Sequence, residues 1–134
     1  MIEQLTHSTS AVEATVLNKI CQLACRWHKL NQRLPKYDRH TLGEKTSSLL
    51  INCVTEINRV RFLIGSEKLL ALKNIAEQID ALKIILRLIY RLELLEEKTY
   101  ISLESDLNEI GRMLGGWIKY LKENKGTPVP RSFA

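Results

Sequence analysis

Apolar residues recur at three- and four-residue steps along most of this chain, the spacing that gathers side chains on one face of an α-helix. Val12, Val16, Ile20, Leu23, Trp27 and Leu30 make the first stripe. Ser10-Ala-Val-Glu13 has the form of a capping box, in which a hydroxyl and a carboxylate satisfy backbone N–H groups left free at a helix start. A first helix is therefore predicted over 11–31. It stops before Leu34-Pro35, because a residue ahead of proline disfavours α geometry. Residues 32–40 form a loop. Thr41-Leu-Gly-Glu44 reads as a second capping box. It opens a helix with Leu50, Val54, Ile57, Val60 and Ile64 on its buried side, closed by Gly65 as a left-handed cap. Ser66 can cap a third helix, with Leu69, Leu72, Ile75, Ile79, Leu82, Leu86 and Ile89 facing inward. A change of pattern near Leu95-Glu96-Glu97, marked by no Gly or Pro, separates it from a fourth helix carrying Leu103, Leu107, Ile110, Leu114, Trp117 and Leu121. Residues 1–10 are expected to fray and residues 124–134, with two prolines, to form a flexible tail.

Four amphipathic helices over 11–123 with short joints predict an all-α, up-down-up-down four-helix bundle. With 45% hydrophobic and 26% charged residues, the 134-residue chain is too apolar to be disordered and large enough for one core. The most apolar run, Ile79 to Leu95, is broken by Asp80, Lys83, Arg87, Arg91 and Glu93, so it is no membrane span, which needs about 20 residues with few charges. No signal peptide is visible, and the three cysteines are too few for a disulfide scaffold. The chain reads as a soluble, cytoplasmic protein.

The third helix is apolar around too much of its circumference for a single copy. A surface helix shows an apolar stripe roughly 100° wide or slightly more. Here Asp80, Lys83, Arg87 and Arg91 fall in one narrow sector, and Ile84, Ile85, Leu88, Tyr90 and Leu92 spread over much of the rest. Left uncovered they would form an exposed apolar patch, so they are the predicted interface of a homo-oligomer. Gly111, Gly115 and Gly116 in the fourth helix cost about 1 kcal/mol each relative to Ala and point to close packing.

The charge is unevenly placed. Twenty Lys and Arg against fifteen Asp and Glu leave +5. From Arg26 to Arg39 the cations Arg26, Lys29, Arg33, Lys36 and Arg39 face Asp38 alone, a balance of +4, whereas Glu96 to Glu109 carries −4. Lys83, Arg87 and Arg91, four apart on the third helix, approach the same end of the bundle. Matching of helix dipoles explains Lys29, Arg91, Glu96 and Glu97. It does not explain the loop cations, or a row of like charges that repel one another by about 0.2–0.5 kcal/mol per pair. A polyanion lying across them would. Such contacts bind nucleic acid without reading sequence, and weaken steeply with salt.

Local catalytic spacings and phosphate-loop glycines are absent. Cys21, Cys25 and His28 share one side of the first helix, which could suit a soft metal. They lack the turn-borne pairs of structural zinc sites, and small thiols packed beside a core are the ordinary outcome. No catalytic residue, metal or cofactor is predicted.

Three stretches carry a family resemblance. Leu34-Pro-Lys-Tyr-Asp-Arg-His-Thr-Leu-Gly43 resembles the "LPK…(T)LG" entry to the second helix of four-helix bundle proteins related to Avd, the accessory variability determinant of diversity-generating retroelements. Ile110-Gly-Arg-Met-Leu-Gly-Gly-Trp-Ile-Lys119 resembles the last helix of that family, and Leu86-Arg-Leu-Ile-Tyr-Arg-Leu92 its third. The likeness spans residues 10–123. It implies a homopentameric barrel with a basic surface, partnered with a reverse transcriptase and with RNA or DNA, and itself no catalyst. On the family's pattern Lys36, Arg39, Arg87 and Arg91 match basic positions, while Pro35 and Gly43 look structural. A sister group, encoded in ribosomal RNA intervening sequences, supplies the alternative of an oligomeric scaffold with no polymerase partner.

Overall fold

Each apolar stripe becomes a helix in the computed structural model, which describes the backbone of residues 2–123 and the side chains of residues 12–123. The elements are α1 (Ile2–Asn31), a single turn α2 (Lys36–Asp38), a π-helical turn (Arg39–Gly43), α3 (Glu44–Val60), α4 (Gly65–Arg91) and α5 (Glu97–Glu123). Among the described residues there is no strand. In the ring of four long helices α1 packs on α3, α3 on α4 and α4 on α5, and α5 closes against α1. The predicted tail, 124–134, lies outside the described residues.

The core is the set of stripes. Val16, Ile20, Leu23 and Trp27 of α1 meet Leu50, Ile57 and Val60 of α3, Leu72, Ile75, Ile79, Leu82, Leu86 and Ile89 of α4, and Leu103, Leu107, Ile110, Leu114 and Trp117 of α5. Cys53 and Thr46 complete the inner face of α3, and Thr46 satisfies its hydroxyl on the Leu42 carbonyl at 2.9 Å. Ile64, expected inside, is exposed because α3 ends at Val60 and the stripe ends with it.

Both predicted capping boxes are corrected. α1 begins at Ile2, so the expected start at residue 11 falls inside the helix. Glu13 does not cap: it is buried, its Oε2 is 3.4 Å from Arg61 Nε and its Oε1 3.4 Å from Lys68 Nζ. The second helical stretch begins directly after Pro35, whose φ of −54° and ψ of 151° make it the turning residue. The Thr41 hydroxyl bonds back to the Tyr37 carbonyl at 2.9 Å, within its own helix. The π turn lies against the C-terminal part of α1. A Cβ on buried Gly43 would overlap the Asn31 side-chain oxygen, and the Trp27 indole N–H donates to the Gly43 carbonyl at 3.3 Å and to Ser47 Oγ at 3.1 Å. Gly43 is therefore the close-approach residue of the α1–α3 crossing.

The two ends of α4 use the left-handed region. Gly65 takes φ 60°, as its identity suggests, but opens α4 instead of closing α3. At the other end Glu93 takes φ 63°. The Glu93 N–H donates to the Tyr90 carbonyl at 2.9 Å and the Leu94 N–H to the Ile89 carbonyl at 3.2 Å. This is a Schellman cap with glutamate in the usual glycine position.

Candidate nucleic-acid interface

One end of the bundle collects the C-terminal turns of α1 and α4, the 32–43 segment and the start of α5. Lys29, Arg33, Lys36, Arg87 and Arg91 are exposed there, and Arg39 is half-buried. None of these six forms an ion pair among the described residues. Arg39 has its Nε buried with no hydrogen-bond partner. A guanidinium part-stripped of water and unpaired gains more than a solvated one from an anion brought to it. Arg87 lies beside the Tyr100 hydroxyl. The Glu104 carboxylate that accepts that hydroxyl holds the Tyr100 pKa above the ordinary phenol value, burial adds to this, and Arg87 pulls it down.

Two predicted contact residues are drawn away from this surface. Arg26 Nη1 reaches Asp106 at 2.7 Å and its Nη2 donates to Ser102 at 2.9 Å, so it stitches α1 to α5. Lys83 is half-buried, 3.8 Å from Asp80, with its ammonium against Gly111. Most acids of α5 are likewise spent inside the bundle. Asp106 holds Arg26, Glu109 accepts from Lys19 at 2.9 Å, and Glu104 holds Tyr100. Between the two α1–α5 ion pairs lies a small cleft of about 160 Å³ flanked by Gln22 and Leu23. Glu96 and Glu97 remain exposed beside the basic end.

Comparison with known proteins is decisive for the family: the bAvd-like profile matches residues 15–121. The chain belongs to the bAvd-like family. This bAvd-like chain is also similar to a crystal structure of a protein of unknown function from the S23 ribosomal protein family of Bacteroides thetaiotaomicron. The identity is 18% and the TM-score 0.73, over 81% of this chain and 98% of that one. None of the curated proteins matches it.

The bAvd-like bundle also leaves part of α4 uncovered. Ile84, Leu88 and Leu92 are 68%, 46% and 50% exposed. The other two predicted interface residues are partly used within the copy: Ile85 packs on the core, and the Tyr90 ring stacks on Tyr100, centroids 4.5 Å apart. Sequence reading passed over exposed Leu70. It lies 18 residues before Leu88, five full helical turns, so the two share one line along α4. Gly115 and Gly116 are exposed, with open space where a Cβ would stand, so nothing within the single copy requires them to be small.

The three thiols are free. Cys25 is exposed and Cys21 half-buried, so neither is the small buried thiol expected on the first helix, whereas Cys53 is buried. Burial, with Glu56 nearby, pushes Cys53 up to about 12, which keeps it a protonated, inert thiol. Among the described residues no three His, Cys, Asp or Glu side chains converge as metal ligands, and no helix is long and apolar enough to cross a membrane.

Proposed function

We propose that this bAvd-like protein is a non-enzymatic cytoplasmic accessory subunit of a diversity-generating retroelement. Several copies, five if the family's barrel holds here, associate through the uncovered side of α4. Their pooled basic ends hold RNA or DNA without sequence preference and meet the reverse transcriptase. The observation that carries this reading is the gathering at one end of the bundle of six cations without an ion pair among the described residues, Lys29, Arg33, Lys36, Arg39, Arg87 and Arg91, with the Arg39 Nε buried and unsatisfied. Oligomerisation repeats the same basic end around a ring and raises its field by geometry.

Two measurements test it. Light scattering should give a mass several times 15.4 kDa, and Ile84→Glu with Leu88→Glu should return single copies. Reversing Lys36, Arg39, Arg87 and Arg91 together should leave the oligomer intact. It should weaken nucleic-acid binding at least a hundredfold at low salt and flatten its salt dependence by roughly one logarithmic unit for each phosphate no longer neutralised. Salt-independent binding, or binding untouched by reversal, would exclude the mechanism. An intact oligomer that binds no nucleic acid would leave the scaffold role without a polymerase partner.

A further inference from the structure

Tyr37 has no part in the core, and positive charge alone gives it no role. The residue is 77% exposed at the start of the second helical stretch, directly after Lys36 and two residues before Arg39. The backbone beneath it is fixed. Pro35 sets the turn, its carbonyl accepts the Arg39 N–H at 2.9 Å, and the carbonyl of Tyr37 accepts the Thr41 hydroxyl at 2.9 Å. The ring thus stands on a rigid turn with two side-chain torsions free. Phe62 is equally exposed at the opposite end, but the Arg61 guanidinium lies over its ring, 5.9 Å from the centroid. The Tyr90 and Tyr100 rings occupy each other's inner faces. Tyr37 makes no ring or cation contact among the described residues.

We infer that the basic end selects single-stranded nucleic acid over duplex, with Tyr37 as a platform on which one unpaired base stacks while Lys36 and Arg39 take the flanking phosphates. The inference rests on the nucleic-acid reading above and adds the class of strand. In a duplex the base faces are already stacked on one another, so a protruding ring beside the cations adds nothing to phosphate contact. In a single strand every base has a free face, and stacking on an aromatic ring is sequence-tolerant.

The test uses the full chain, fluorescence anisotropy at low salt, and strands of about 20 nucleotides in single-stranded, duplex and abasic form. The wild type should bind the single strand about tenfold more tightly than the duplex or the abasic strand. Tyr37→Ala should lose that tenfold on the single strand, with no change on duplex or abasic strand, whereas Tyr37→Trp should keep or exceed it. Phe62→Ala, an equally exposed ring at the other end, should change nothing. Equal losses on all three probes in Tyr37→Ala, or no loss on the single strand while Lys36→Glu weakens all three, would overturn the stacking inference and leave the electrostatic reading standing. A wild-type chain that binds none of the probes would overturn both.

Discussion

Where α3 hands over to α4, a carboxylate is buried between two cations; where α1 hands over to α2, and α4 to α5, cations stand in solvent with no carboxylate paired to them. Glu13 is 5% exposed and meets Arg61 and Lys68, and the Lys68 ammonium also lies 5.4 Å from the centre of the Trp117 ring. Along α1 the pairing thins step by step, from doubly held Glu13, through half-exposed Lys19–Glu109 and Arg26–Asp106, to unpaired Lys29. The backbone follows the same trend. The left-handed residue at the start of α4 is a glycine, and the one at its end a glutamate. One end buries a carboxylate between cations and places a glycine at its left-handed residue, whereas the other gathers cations without a paired carboxylate and places a glutamate there. Such departures from the local rules of stability gather where a surface serves something other than its own fold.

The largest effect separating the two ends should come from Glu13. Glu13→Ala leaves the mostly buried Lys68 ammonium without its carboxylate. Removing one partner of a fully buried pair costs about 3–5 kcal/mol; here about 2 kcal/mol is expected, because Arg61 stays largely in water. Urea titration at fixed protein concentration should show a lower midpoint with an unchanged slope. Lys36→Ala and Arg33→Ala, at the other end, should stay within about 0.5 kcal/mol of wild type, as surface changes away from special features do. Similar losses at both ends would erase the contrast.

Next come the two left-handed positions, and the expected signs are opposite. A Cβ at Gly65 would meet nothing within 4 Å, so Gly65→Ala isolates backbone strain and should cost about 1 kcal/mol. Glu93→Gly relieves the same strain and should gain up to about 1 kcal/mol, less the chain entropy that glycine adds to the unfolded state. Glu93→Gln removes the charge and keeps the strain. If it stabilises as much as glycine does, electrostatics and not conformation explains the effect.

The stripe of α5 was legible in full, because its spacing never breaks and Leu103 through Trp117 need only their own helix to be read. The α4–α5 joint was half legible: the pattern changes, but a glutamate fills the position where glycine would have announced the cap. Ser10-Ala-Val-Glu13 has the same local form whether its carboxylate folds back onto a helix start or, as here, meets cations on α4 and beyond α3, and only tertiary structure separates the two. Thr41 misled in the same way, since its hydroxyl can serve an N–H ahead or, as it does, the carbonyl of Tyr37 one turn back. Arg26 looked like its neighbours in the basic run because Asp106, which claims it, lies 80 positions along the chain. The charge imbalance was legible; which cations were already engaged was not.

The smallest effect lies between the two ends, at the Lys19–Glu109 pair. The Lys19 ammonium, donating to Glu109 and close enough to act through its charge, holds the Glu109 pKa below the ordinary 4.5. A carboxyl depressed in the folded state adds stability that is present above the unfolded value and lost as pH falls through the folded one. Glu109→Gln should therefore melt slightly below wild type at neutral pH and low salt. The difference should shrink as pH drops below 4.5, and disappear in acid where the carboxyl is protonated in both states. Both side chains are substantially exposed, so 1 M salt should also erase it. The Glu13 loss, with its carboxylate out of reach of counterions, should survive that salt. A Glu109→Gln difference that persisted in high salt would mean the seam is dry, and that the fading of paired charge along α1 does not track solvent access.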